Sequence, residues 1–491
     1  MLVLFCISLI GGAALFHSGS FSLLDIGFIA LLWGVLFCFL SRTKKGLVLG
    51  VAMACTVMLG ALRMWMIPVH EVSLGLPTSG VGRLGNQAFT GTVKSVDERL
   101  DKTLLAVKID SSDFVVQVTL RDKPTLLPGD KVSVRGKVEL PEDFVTDTGR
   151  TFEYEQYLAS RGVDAVVNRG QVVKLESGHI SFSRVATTIR FWIAGVLGSY
   201  IVFPVDGIVA GMLVGFQGGI PSYLSDIFRY TGTLHTLVLS GYNITVLAGF
   251  LGLVLRRVPF RLRTLMIGVG IVTLVLISGA GVAAVRAGIM GTLALLASMT
   301  LQNYNVLRAL FLSALLFFFI RPLTLFVDPG FHLSFLATLF IITLLPILDK
   351  KIHWIPKGKI NLRELLILAV GLPIFMLPYM MYFSGLFPLV SPVANIFLVP
   401  IIPVLMLGGL CVTVFSFIPF LASVLGVVTG FIGTITITVL TFFATLPQWQ
   451  TPALSGWCVV LFYILLYGMI FRKEIFIYLA HLRSVFRRQT S

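Results

Sequence analysis

The chain reads as a polytopic α-helical membrane protein of about 12–14 spans, some of them re-entrant, with an inserted small β-barrel of OB type outside the cytoplasm. Three observations predict this. Of its 491 residues 56% are hydrophobic and 12% charged, against about 25% charged in soluble domains, and the mean hydropathy is +0.93. Charge is segregated: residues 80–180 hold 15 of the 23 acidic and 14 of the 38 basic residues, a balance of −1, which leaves +16 on the rest. Finally, apolar runs of spanning length alternate with four basic clusters, as in chains whose short cytoplasmic loops retain Lys and Arg.

The N-terminal region, 1–67, offers spans at 2–16, 26–40 and 46–67. Its opening MLVLFCISLIGGAALF lacks the basic stretch and cleavage site of a signal peptide and reads as a first span. The loop RTKK at 42–45 is cytoplasmic by its charge, which puts 80–180 on the other side. Residues 80–180 alternate as strands do, in FTGTVKSVDE, TLLAVKID, DFVVQVTL, DKVSVRGKVEL and VDAVVNRGQVVKL, with a turn at Leu127-Pro128-Gly129-Asp130 and a helix at 152–162. Residues 184–203 mix Arg184 and Arg190 into an apolar face, which suits an interfacial amphipathic helix. A glycine-interrupted stretch then leads to Pro221 and fits a re-entrant helix.

The apolar domain, 205–471, must cross an even number of times between basic clusters. Runs at 264–278, 282–300, 307–325 and 331–348 lie between Arg256-Arg257-Arg261-Arg263 and Lys350-Lys351-Lys357-Lys359-Arg363. Runs at 365–383, 390–417, 421–446 and 454–471 follow and return the basic tail, 472–491, to the cytoplasm. The five cysteines all lie in apolar segments, with neither a disulfide framework nor a zinc spacing.

The polar residues inside the apolar domain carry the functional signal. Residues 231–250, TGTLHTLVLSGYNITVLAGF, place His235, Ser240, Gly241 and Asn243 where an unpaired polar group costs roughly 2–7 kcal/mol. Either they are satisfied core groups, or they face a water-filled path, or Ser240-Gly241 breaks the helix. Gly279 and Gly281 either permit close helix packing or have a functional role. Arg286 in mid-helix costs ~2.5–3.5 kcal/mol on insertion scales and demands a partner: a carboxylate, with Asp328 and Asp226 as candidates, backbone carbonyls, water, or a phosphate, which a guanidinium holds bidentately. In 80–180 the rings Phe89, Phe114, Phe144, Phe152, Tyr154 and Tyr157 are either core or exposed stacking surfaces.

These segments together resemble the ComEC family. FRYTGTLHTLVLSGYNITVLAGF (228–250) is similar to its signature, ISGAGVAAVRAGIMGTLAL (277–295) to its Arg-Ala-x-x-Met element, and DPGFHLSFLATLFIITL (328–344) to its Asp-Pro element. LPGDKVSVRGKVELPEDF followed by DTGRTFEYEQYLASRGV resembles the family's extracytoplasmic OB-like domain. Two departures stand out: Asn243 replaces a second histidine, and His332 occupies a position where Gln is usual. Asn hydrogen-bonds but does not titrate near neutrality, which weakens a paired-histidine proton relay.

The resemblance implies an inner-membrane channel that admits single-stranded DNA in natural transformation. Its path would run past His235, Ser240, Gly241, Asn243, Arg286 and His332, with Arg229, Gly279, Gly281 and Asp328 as accessories. Many members carry a metallo-β-lactamase-like domain. No His-x-His-x-Asp-His run appears here, so neither metal, cofactor nor nuclease activity is expected. No Gly-x-x-x-x-Gly-Lys-[Ser/Thr] loop is present to bind ATP. A cytoplasmic helicase or motor, a DNA receptor and a separate nuclease are therefore the implied partners, beside the lipid bilayer. A secondary transporter or flippase for an anionic small molecule or lipid precursor is the alternative, and an envelope scaffold a third.

Overall fold

The computed structural model describes residues 8–14, 55–66 and 83–470, less 12, 65, 100–101, 122–124, 146–150, 238, 301–303, 353, 356–361, 384, 447–448 and 451–453. The expected span at 26–40, the 42–45 loop and the 472–491 tail lie outside the described residues, as do parts of 2–16 and 46–67.

The alternating segments form a mixed six-stranded sheet of order β1-β2-β3-β7-β4-β8. Its strands are β1 (Arg83–Arg99), β2 (Lys102–Ile109), β3 (Val115–Leu120), β4 (Lys131–Glu139), β7 (Ala165–Asn168) and β8 (Gln171–Glu176), with a small β5 (Phe144–Val145) and β6 (Thr151–Phe152) pair beside it. The long β1 bends, pairing with β4 through its first half and with β2 through its second, with a register shift between Val93 and Ser95. This is a mixed sheet rather than the uniformly closed barrel expected. β7 meets β4 at only two positions, Val138 with Val167 and Glu139 with Val166, before Arg169 takes a left-handed φ of 56° and turns the chain into β8. Val93, Leu105, Val107, Val118, Val132 and Val134 fill its interior. These are the inward positions of the period-2 pattern.

The helices, in chain order, are α1 (Cys55–Met64), then α2 (Tyr154–Ser160), α3 (Phe182–Tyr200), α4 (Val205–Val214), α5 (Ser222–Tyr230), α6 (Gly241–Val254), α7 (Phe260–Ile277), α8 (Val282–Met299), α9 (Val306–Ile320), α10 (Thr324–Val327), α11 (Pro329–Thr343), α12 (Leu345–Lys351), α13 (Leu362–Leu366), α14 (Leu372–Phe383), α15 (Ser391–Val414), α16 (Pro419–Ala444) and α17 (Gly456–Ile470). A π-helical stretch, Ile367–Gly371, joins α13 to α14. Pro373 has no N–H to return to the carbonyl four residues back, so the helix widens there.

Among the described residues five helices are long and apolar enough to cross a membrane, or six if α11 and α12, bent by 41°, form one span; four apolar helices are shorter. That is fewer than the 12–14 expected. Proline and aspartate interrupt the apolar runs at Pro322, Asp328-Pro329 and Pro346, and residues 205–255 fold as short pieces instead of spans. α4 is the clearest case. Ten residues rise about 15 Å, half a hydrocarbon core, and nine of the ten are buried. It sits in the central cluster with Leu197 of α3, Leu398 and Leu405 of α15 and Leu440 of α16.

The outer faces are apolar. Phe420, Val424, Val427, Phe431 and Ile435 run along one exposed face of α16, while Gly426, Gly430 and Gly433 face inward. Large groups outside and small ones inside are the pattern of a helix that meets lipid and packs closely on its neighbours. The chain is a membrane protein.

Candidate functional site

The segment between α5 and α6 is broken where polar residues interrupt the apolar run. Gly232 takes a φ of 68°, a short 3-10 turn covers Leu234–Thr236, and α6 then starts afresh at Ser240-Gly241. Ser240 is the N-cap: its hydroxyl accepts from the Asn243 amide at 3.4 Å and donates to Asn243 Oδ1 at 3.0 Å. Asn243, 1% exposed, donates from Nδ2 to the Met212 carbonyl at 3.0 Å. This bond fastens α6 to the last turn of α4, where the following Gly215 ends the helix in a left-handed conformation. Asn243 is thus an interior clamp between α6 and α4. His235 lies on the 3-10 turn, exposed, with its ring bonded to the Gly232 backbone.

Gly241 lets α6 meet α8. A Cβ there would stand 3.3 Å from Ala287 Cβ and 3.6 Å from Arg286 Nη2. Arg286, 7% exposed, donates from Nη1 to the Ser334 carbonyl at 2.7 Å and to the Thr338 hydroxyl, both on α11. Its Nε is buried without a partner. Neither candidate carboxylate reaches it. Asp328 caps α11 by accepting from the Gly330 and Phe331 amides at 2.7 and 3.3 Å, and faces Arg161 at 3.8 Å. Asp226 pairs with Arg229 at 3.4 Å on the exposed side of α5, a contact worth about 0–1 kcal/mol. The structure therefore brings Ser240, Gly241, Asn243 and Arg286 together, bonds Arg286 of α8 across to α11, which carries His332, and leaves Arg229 at the surface.

His332 is satisfied on both nitrogens. Nε2 donates to the Leu325 carbonyl at 2.6 Å, which leaves Nδ1 to accept from the Tyr379 hydroxyl at 2.7 Å. Gly279, with φ of 84°, forms the turn after α7 with Arg190 Nη1 3.2 Å from where its Cβ would lie, while a Cβ on Gly281 would meet nothing within 4 Å. Close helix packing explains neither glycine. Thr338 carries no sequence signal as a partner of Arg286, and the second acceptor is the backbone carbonyl of residue 334, which any side chain there would leave in place.

The sheet is tied to the helices by Arg184 and Arg190, the arginines of the expected interfacial helix. From α3, Arg190 Nη2 donates to the Val96 carbonyl at 2.7 Å, and Arg184 meets Asp130 at 2.5 Å. Asp130 is fully buried. Burial pushes its carboxyl upward, but hydrogen bonds from Lys174, Arg184 and the Gly178 and Leu127 amides outweigh this and hold it far below the usual carboxylate range.

A run of aromatic rings crosses the same junction. Phe144 lies 5.4 Å from Phe152, Phe152 lies 6.1 Å from Phe383, Phe383 stacks on Tyr379 at 6.2 Å, and Tyr379 meets His332 at 5.6 Å. Phe144 is 50% exposed and Tyr379 is buried, so the run leads from the outer surface of the sheet into the helices.

The family model described as Competence protein matches residues 212–475, from the end of α4 to just beyond α17. The chain belongs to the competence protein family. A curated relative of this family, ComE operon protein 3 of Bacillus subtilis (strain 168), is 23% identical over 339 residues, covering 67% of this chain and 42% of that protein. The chain thus spans less than half the length of that relative. No solved structure matches the chain. The resemblance to ComEC drawn from 228–250, 277–295 and 328–344 is shown by these matches, and all three segments fall inside the family's span.

Proposed function

We propose that this competence protein forms a path through the inner membrane for single-stranded DNA, with the sheet domain on the extracytoplasmic side receiving the strand. The observation that carries the reading is the run of rings from Phe144 and Phe152 through Phe383 and Tyr379 to His332. Stacking of bases on aromatic faces is sequence-tolerant and worth about 1–3 kcal/mol per base, which suits a conduit that must accept any strand. The sheet's additional β1–β4 pairing, which returns its first strand to its fifth, supports an OB-type domain, an architecture used for single strands. A cytoplasmic motor supplies the driving force, and a receptor and nuclease supply the strand.

The test is entry of labelled DNA into the cytoplasm of the host. Deletion of the gene abolishes entry and the full chain restores it; undiminished entry in the deletion strain refutes the reading.

A further inference from the structure

We propose an anion site between the N-terminus of α6 and Arg286, built to hold one phosphodiester group of a nucleic-acid strand. Two positive ends face each other here. The start of a helix carries the equivalent of about half a positive charge on amides that have no acceptor inside the helix. Of the first three amides of α6, the Ser240 hydroxyl takes that of Asn243. Those of Gly241 and Tyr242 have no acceptor among the described residues. Opposite them stands the Arg286 guanidinium, its Nη2 beside Gly241 and its Nε without a partner.

A buried guanidinium ordinarily finds a carboxylate. Among the described residues Arg286 has none, since Asp328 and Asp226 are held elsewhere. Facing a helix N-terminus without a counter-charge is unfavourable for a cation and favourable for an anion. A single anion between them satisfies all four groups: Nε and Nη2 present the parallel pair of donors that a phosphate accepts, and the two amides complete the set. Gly241 is what permits the approach, because any side chain there would crowd Ala287 and the guanidinium. The anchoring of Nη1 on Ser334 and Thr338 keeps the other edge of the guanidinium turned toward α6. Tyr242, which follows Gly241 in the chain, is exposed, so this end of α6 lies near the surface. Only the choice of nucleic acid as source rests on the function proposed above; the anion site stands on its own geometry.

The test uses the full chain in detergent and inorganic phosphate at constant ionic strength, with chloride as the reference ion. Phosphate raises the melting temperature of the wild-type chain. The increment disappears in Arg286→Gln and in Gly241→Pro, which removes one amide at a position where proline is tolerated. Gly241→Ala adds the same Cβ but keeps the amide, and so retains more of the increment than Gly241→Pro. Arg286→Gln leaves no orphaned carboxylate and folds, with a melting temperature in chloride no lower than that of the wild type. A short single-stranded oligonucleotide displaces phosphate, and its uncharged-backbone counterpart does not. The proposal is overturned if phosphate has no effect on the wild type, if Arg286→Gln responds as the wild type does, or if phosphatidylglycerol displaces phosphate and the oligonucleotide does not. Because the readout is binding, loss of this site and loss of the DNA-channel reading are separable: DNA entry that ignores the gene removes the channel and leaves the anion site untouched.

Discussion

Asp130 shows at the scale of one residue how a buried charge fixes the junction between sheet and helices. It accepts from Lys174 of β8 and Arg184 of α3, and from the backbone amides of Leu127 and Gly178. Removing one partner of a buried pair costs about 3–5 kcal/mol, because the remaining charges stay without compensation. Asp130→Asn is thus expected to lower the melting temperature of the detergent-solubilised chain markedly at neutral pH. A carboxyl whose folded-state value lies below its unfolded one, about 3.9, contributes stability that is complete above that value and is lost as pH falls through it toward the folded value. The wild type should therefore lose stability progressively below about pH 4, while the gap between it and Asp130→Asn narrows over the same range. A gap that is constant from neutral to acid pH would show that this carboxylate is not held by its cations. Nothing in the sequence singled out Asp130 beyond its place in a Pro-Gly-Asp turn. Its partners come from Lys174 and Arg184, 44 and 54 positions away, and only the fold brings them together.

Elements were legible to different depths, for reasons the residues explain. The strands of 80–180 were readable because valine and leucine alternate with polar residues and each alternation maps to one face of the sheet. The helices of 205–471 carry no such label, since a segment apolar all round reads the same whether it spans lipid or fills an interior. α4 is of the second kind: its glycines marked it as broken, but not that nine of its ten residues lie in the interior. What does distinguish inside from outside is residue size. Along α16, Gly426 faces the Tyr200 carbonyl so closely that a Cβ would overlap backbone, and Gly433 lies against the Val205 side chain. Backbone cannot rotate away, and overpacking costs typically 1–3 kcal/mol or more. Gly426→Ala should sharply lower the melting temperature or the folded yield. Gly249→Ala, in the interior of α6 with nothing within 4 Å of its Cβ, should raise stability by up to about 1 kcal/mol through helix propensity. Equal effects of the two substitutions in thermal unfolding would remove close approach as the reason for the α16 glycines.

Over the whole molecule, the candidate site was half legible. The sequence flagged Ser240, Asn243 and Arg286 as polar groups needing partners and Ser240-Gly241 as a helix break, and the fold does gather them. It could not show that Asn243 spends its amide on Met212, that His332 is closed by Leu325 and Tyr379, or that Phe152 and Phe383, more than 200 positions apart, touch across the junction. That last contact is where the sheet and helices act as one object. Arg161 approaches Asp328 across the same junction. Phe383→Leu retains apolar bulk but removes the face on which a base stacks, so it should weaken binding of single-stranded DNA by about tenfold, within the 1–3 kcal/mol per base that stacking supplies. Phe383→Tyr keeps the face and should bind as the wild type does. Fluorescence titration of the purified chain with an oligonucleotide measures both, and thermal unfolding in parallel controls for damage to the fold. If Phe383→Leu binds normally, the rings serve only to pack the sheet against the helices, and the strand must enter by another face.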